Sequence, residues 1–445
     1  MATAADLAND RDMQTTMNRS TALRGLVTGS LVLCSAAALV APAGASSDGL
    51  DITGGRGALL SVEKGKTLTA TDVVAALDDK MDASAVRYGV ATYVVRYRTI
   101  DHAGAPTIAS QLLVLPENGD PSVSVVSWLH GTIVTKTDVA SVRTDTNDYR
   151  AALLFASTGS AASAPDYVGL GKDSPGRHPY GDPRATVSAT VDALRSARTV
   201  AHGMGRALER KVQVSGFSQG GPAAMLVGRA LQQEGADRYF RLGALAPTGG
   251  PFDLSTFEAA AADDQIAKSG IYLAYFVTAW NRMYGGLYDS TGEAFKAPYD
   301  TKVDELFDGY HTPEDIMKEL TLVSRDLFTP EFLEKIRHPE GVLKRKLRAL
   351  DTTCDWRPHV PVQIFHGRGD QDVAFAHAEQ CGAQLKANGA KYTLTNLGNY
   401  DHNASVQQAL PRIVRFFEES SKQSRGAVVR QRSTATTATV TDGLR

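Results

Sequence analysis

Gly216-Phe217-Ser218-Gln219-Gly220-Gly221 stands between an apolar run at 211–215 and a helix-patterned stretch at 219–232. A serine hydroxyl is a poor nucleophile until it is exposed, next to a base and near donors for a developing oxyanion. Small residues at the two flanking positions, Gly216 and Gly220, permit the sharp strand-to-helix turn that lifts such a serine out. Gly-x-Ser-x-Gly alone is a weak signal, and a Gly-rich structural turn is the bland alternative. The strand before it and the helix after it give the pattern its meaning. No Gly-Lys-Ser/Thr follows, so a phosphate loop is excluded. Ser218 is the candidate nucleophile.

A serine of this kind needs a base, and the base needs an acid to orient it. After an apolar run at 360–365 comes His366-Gly367-Arg368-Gly369-Asp370-Gln371-Asp372-Val373. Asp370 occupies the acid place at the end of that strand. Asp372 reads as a first-turn helix residue complementing the dipole, and His366 as a support for the turn. Asn399-Tyr400-Asp401-His402-Asn403-Ala404 supplies the base, His402, just before the closing helix. The order Ser218, Asp370, His402 is that of an α/β-hydrolase, not of the chymotrypsin-like or subtilisin-like proteases. For the oxyanion, one donor is the Gln219 N–H at the helix start. The other is the Thr132 N–H in His130-Gly131-Thr132, with the Gly131 N–H as the alternative. His130 has no second histidine or carboxylate at ligand spacing, so no metal is expected there.

The surrounding pattern agrees. Strands are expected at 86–99, 107–115, 122–129, 160–164, 211–215, 241–246, 360–365 and 391–396. Helices are expected at 148–156, 183–204, 219–232, 375–388 and 404–420, a strand–helix rhythm that implies a mostly parallel central sheet flanked by helices. Residues 251–350 break the rhythm with helix-like segments at 271–284, 313–323 and 330–336, as a helical cap inserted before the acid-bearing strand would. The expected organisation is therefore a core first part at 46–250, the cap at 251–350 and a core second part at 351–420. Within the first part, 46–84 reads as a polar lead-in with helix signals at 71–79. The Ser/Thr/Arg-rich tail, 421–445, reads as disordered. In the cap, Tyr272, Tyr275, Phe276, Trp280 and Tyr284 read either as a face for an acyl chain or as ordinary cap core. Asp166 and Tyr167 read either as pocket wall or as structural loop.

The N-terminus carries a basic stretch with Arg19 and Arg24, an apolar run at 26–40, and Ala41-Pro42-Ala43-Gly44-Ala45. That is the order of a secretory signal cleaved after Ala45, with residues 1–16 as an over-extended start. Export suits Cys354 and Cys381, an even pair expected to form a disulfide. A formal charge of -2 with 22% charged residues shows no basic stripe for nucleic acid and no acidic block for a charged partner.

Taken together, Gly216–Gly221, the Pro165-Asp166-Tyr167-x-Gly-x-Gly loop, His178-Pro179-Tyr180, His366–Val373 and Asp401-His402 resemble the secretory, lipase-A-like family of α/β-hydrolases. The resemblance spans roughly residues 85 to 418. It implies esterase or lipase activity on carboxylic esters, small-molecule or lipid, with a helical cap and no cofactor. Transient contact with lipid interfaces is also expected, and no obligate protein partner. A serine peptidase on the same scaffold and a catalytically silent binding protein are the competing readings, because fold does not decide chemistry.

Overall fold

A computed structural model describes residues 54–232 and 237–441, with side chains to residue 423. The expected signal at 1–45 lies outside the described residues. The chain opens with β1 (Leu59–Leu68), α1 (Ala70–Leu77), β2 (Val90–Ile100), β3 (Pro106–Pro116) and β4 (Ser122–Leu129). Then come α2 (Asn147–Ser157), β5 (Ala161–Pro165), α3 (Pro183–Gly203), β6 (Ala207–Phe217), α4 (Gly220–Gln232) and β7 (Arg241–Thr248). Between β7 and the next strand lie only helices: α5 (Leu254–Ala262), α6 (Ser269–Tyr284), α7 (Thr291–Ala294), α8 (Val303–Leu306), α9 (Pro313–Glu319), α10 (Ser324–Leu327), α11 (Pro330–Arg337) and α12 (Gly341–Asp351). The chain closes with β8 (Val362–His366), α13 (Ala376–Ala387), β9 (Tyr392–Asn396) and α14 (His402–Thr441).

The nine strands form one sheet in the order β1-β2-β3-β5-β4-β6-β7-β8-β9. β1, β2 and β3 pair antiparallel, as does β3 with β5, and from β5 to β9 all pairs are parallel. The central strands are apolar almost without interruption because both faces are covered. In β6 the last six residues, Val212 to Phe217, are all buried. One face packs against α3, α4 and α13 through Leu194, Val200, Met225 and Leu385. The other packs against α1, α2 and α14 through Leu77, Phe155, Ile413 and Phe417. The inserted helices keep a core of their own, with Leu273, Phe276, Trp280 and Phe328 fully buried.

Capping sets where α3 begins. Asp182 accepts from the Ala185 N–H at 2.6 Å, and Pro183 fills the first helical position, where a missing N–H costs nothing. Cys354 and Cys381 are joined by a disulfide, tying the segment after α12 to α13.

Two expectations are corrected. β1 falls inside the supposed polar lead-in; it is an edge strand whose Glu63, Lys64 and Lys66 stay exposed, so no apolar alternation marks it. The tail read as disordered from Ser421 instead continues α14 as far as Thr441. Low apolar content argues against a core, but it does not stop an already nucleated helix from propagating.

Candidate active site

The turn between β6 and α4 puts Ser218 at φ +56, a left-handed conformation that a residue with a Cβ adopts only when its surroundings enforce it. The enforcement is visible. The Ser218 N–H donates to Thr248 O at 3.0 Å, and the Gly221 N–H donates to Ser218 O at 2.8 Å. A Cβ on Gly220 would sit 2.1 Å from Leu129 O, and one on Gly216 would sit 2.3 Å from Gly220 O. Neither glycine tolerates a side chain, because β4, β6 and the start of α4 approach backbone to backbone here.

β8 and β9 end at the same edge of the sheet. Asp370 follows β8, and its Oδ1 accepts from the N–H groups of Asp372 at 3.0 Å and Val373 at 2.8 Å. Its Oδ2 accepts from His402 Nδ1 at 2.7 Å, while His402 Nε2 stands 2.9 Å from Ser218 Oγ. Burial pushes the Asp370 carboxyl up, but bonds from His366 and His402 outweigh it and hold the group well below the usual carboxylate range. His366 Nε2 lies 2.9 Å from Val373 O and 3.3 Å from Asp370 Oδ2, which braces the turn. The Phe217 ring packs on His402 with centroids 4.4 Å apart.

Gly131, Thr132, Ser218 and His402 line one cavity of about 190 Å³. Among the described residues, no protein acceptor takes the N–H of Thr132 or of Gln219. Gly131 packs against Ser218, where an added Cβ would meet Ser218 Cβ at 3.2 Å. The remaining wall comes from Asn147 and Asp148 at the start of α2, Lys268 and Tyr272 at the start of α6, and Ile133, Phe217, Asp372 and Asn403. None of Asn147, Asp148 and Lys268 is picked out by a sequence motif, whereas Asn403 follows His402 in the base-bearing stretch; they meet because helix ends from different elements converge on one rim.

Asp372 is not where the sequence suggested. α13 begins at Ala376, so Asp372 precedes the helix and offers nothing to its dipole. The Ala267 N–H bonds to Gln371 O at 2.9 Å and pins this stretch to the insertion. Tyr272 OH donates to Asp372 Oδ1 at 3.3 Å, and Lys268 Nζ lies 3.6 Å from the same oxygen. Asp166 and Tyr167 are both buried, and Asp166 Oδ2 accepts from Ser110 and Ser141 at 2.6 Å each, a structural arrangement. Of the cap aromatics, Tyr275, Phe276 and Trp280 are buried in the insertion, and Tyr272 faces the Ser218 cavity. Ligand atoms of Asp370, Asp372 and His402 lie within 4.8 Å of one another, but Asp370 and His402 already spend theirs on each other and on Ser218.

No protein-family model and no curated protein matches the chain. Solved structures do. The rice cell wall degrading esterase LipA from Xanthomonas oryzae is 27% identical with a TM-score of 0.71, over 81% of this chain and 97% of that one. A ligand-bound form of the same esterase gives 25% identity and a TM-score of 0.71 over the same shares, 81% and 97%. Candida antarctica lipase A, at 14% identity and a TM-score of 0.56 over 78% of each chain, shares the fold. With its strand order, its helical insertion and these neighbours, the chain has the α/β-hydrolase fold of the lipase-A-like esterases and lipases.

Proposed function

We propose that the chain is an exported serine hydrolase that cleaves carboxylic esters through an acyl-enzyme. The observation that carries this reading is the unbroken relay from Asp370 Oδ2 to His402 at 2.7 Å and from His402 to Ser218 Oγ at 2.9 Å. Esterases and lipases among the structural neighbours support the same class of reaction.

In this reaction His402 Nε2 takes the Ser218 proton as Oγ attacks the ester carbonyl carbon. The carbonyl oxygen becomes an oxyanion, which the Gln219 and Thr132 N–H groups stabilise. Collapse breaks the bond to the alkoxy oxygen, and His402 returns its proton to that leaving group. Water repeats the sequence on the acyl-enzyme, releasing the acid and restoring Ser218. Asp370 holds the imidazole in the tautomer that presents a lone pair to Ser218. The substrate is a small-molecule or lipid ester, the latter met by transient contact with its interface. The disulfide between Cys354 and Cys381 supports export, since such bonds persist in oxidising compartments. Among the described residues no helix is long and apolar enough to cross a membrane.

The test is direct. The mature protein should hydrolyse p-nitrophenyl esters and take a fluorophosphonate label at Ser218. Ser218→Ala should lose at least about 10³-fold in kcat while keeping its thermal midpoint. Turnover of aminoacyl anilides but not esters would replace the proposal with a peptidase, and no turnover of either with a binding protein.

A further inference from the structure

His178 and Tyr180 flank Pro179 in the connection from β5 to α3, and neither is needed for the proton transfers above. Both are buried, at 7% and 9% exposure. Their surroundings fix what each can do. His178 Nδ1 lies 2.8 Å from Val168 O, an acceptor only, so Nδ1 carries the proton. Burial pushes the ring's pKa down to about 3, so Nε2 carries none and must accept. The group facing it at 3.3 Å is Gln219 Nε2, which donates. The side chain next in sequence to Ser218 is thereby tethered.

Tyr180 does the equivalent on the other side. Its hydroxyl pairs with Thr132 Oγ1 at 2.9 Å, and its carbonyl accepts from Trp280 Nε1 of the insertion at 3.0 Å. Tyr275, also from α6, stacks on the Tyr180 ring at 4.4 Å and donates its own hydroxyl to Ile133 O at 3.0 Å. Pro179 has a fixed φ and stiffens the link between the two. The segment itself is seated against Gly169, where a Cβ would lie 2.5 Å from the Arg177 and His178 backbone.

We infer that His178-Pro179-Tyr180 is one positioning device for both oxyanion donors, His178 acting through the Gln219 side chain and Tyr180 through the Thr132 hydroxyl. This rests on the esterase reading and deepens it. Donors stabilise a transition state only if they are already in place, so two donors set from one short rigid segment keep a constant separation. Tyr275 makes the helical insertion a part of that frame.

The carbonyl oxygen needs these donors far more as an oxyanion than as a neutral ester, so loss of the tether should appear in kcat and hardly in KM. Tyr180→Phe keeps the ring and its stacking but loses the hydroxyl. His178→Phe removes the acceptor, and His178→Gln restores one. With p-nitrophenyl butanoate, Tyr180→Phe and His178→Phe should each lower kcat about tenfold with KM within about twofold. Affinity for phenylboronic acid, which forms a tetrahedral serine adduct, should fall by a matching factor, and His178→Gln should recover most of both losses. A kcat within about twofold of the parent in a folded Tyr180→Phe variant overturns the inference. So does a fall in kcat with no loss of boronic-acid affinity. Should His178→Phe fail to fold, Tyr180→Phe decides alone. If the parent takes no fluorophosphonate at Ser218, the esterase reading itself fails; a labelled parent with an indifferent Tyr180→Phe sinks only this inference.

Discussion

His402 can relieve Ser218 of its proton only while Nε2 holds a lone pair, and the carboxylate of Asp370 is what decides this. An ionised carboxylate accepts and never donates, so Nδ1 must carry the hydrogen that spans the 2.7 Å between them. Asn in place of Asp370 offers an amide donor as readily as an acceptor and lets the ring turn its proton toward Ser218. Asp370→Asn should therefore lower kcat by about 10³ to 10⁴ with little change in stability. Asp372 faces Tyr272 and Lys268 instead, so Asp372→Asn should stay within a few-fold of the parent. Steady-state kinetics on the two variants checks the assignment, and a larger loss for Asp372→Asn would reverse it. Ser218, Asp370 and His402 were legible in the sequence because each sits in a short turn with its own residue requirement. Lys268, which also faces the cavity, was not, because it sits just before α6, and the apolar pattern of that helix reports burial and not the direction of its end.

Among the elements, the tightest constraint is the crossing of β4, β6 and the start of α4. Gly220→Ala drives a Cβ to 2.1 Å from Leu129 O, backbone that cannot step aside. That variant should be destabilised by more than about 1 kcal/mol and lose activity, read together from urea unfolding and ester turnover. α13 is held differently. The bond between Cys354 and Cys381 spans 27 residues and anchors the exit from the insertion to this helix. Loop-closure entropy puts its contribution at about 3–4 kcal/mol, so Cys354→Ala with Cys381→Ala should lower the urea midpoint accordingly while leaving turnover at 25 °C intact. The buried strands were readable because unbroken apolar runs have few other interpretations. β1 was not, since a strand at the margin of a sheet carries charge that mimics a loop. α14 shows the reverse error, a helix prolonged where composition suggested none.

At the scale of the molecule, stability should follow pH through groups buried in the wrong charge state. Burial lowers His178 to about 3 and His377 to about 4, against an ordinary 6.5. Both are neutral when folded, so the unfolded chain binds more protons below 6.5, and their contribution disappears as pH falls toward those values. For His377 that is about 3 kcal/mol, and His377→Phe should flatten the fall of thermal midpoint between pH 6.5 and 4. Glu258 acts with the opposite sign. It is 2% exposed with an unpartnered Oε2, and burial holds its carboxyl well above the usual range, so stability falls as pH rises toward its raised pKa. Glu258→Met should raise the midpoint more at pH 9 than at pH 5. The division into sheet and inserted helices was visible in the sequence as a change of rhythm. How the insertion grips the loop of Thr132 was not, because a hydroxyl-to-carbonyl bond across 142 residues leaves no local pattern.

Ser218 and His402, between which the proposed reaction passes a proton, are 184 positions apart, with the whole insertion threaded between them. During synthesis the serine leaves the ribosome long before its imidazole has been made. A nascent chain therefore carries Ser218 without its imidazole until the insertion and β9 have been made, and a product truncated before His402, however well its early strands fold, could not carry out the proposed ester cleavage.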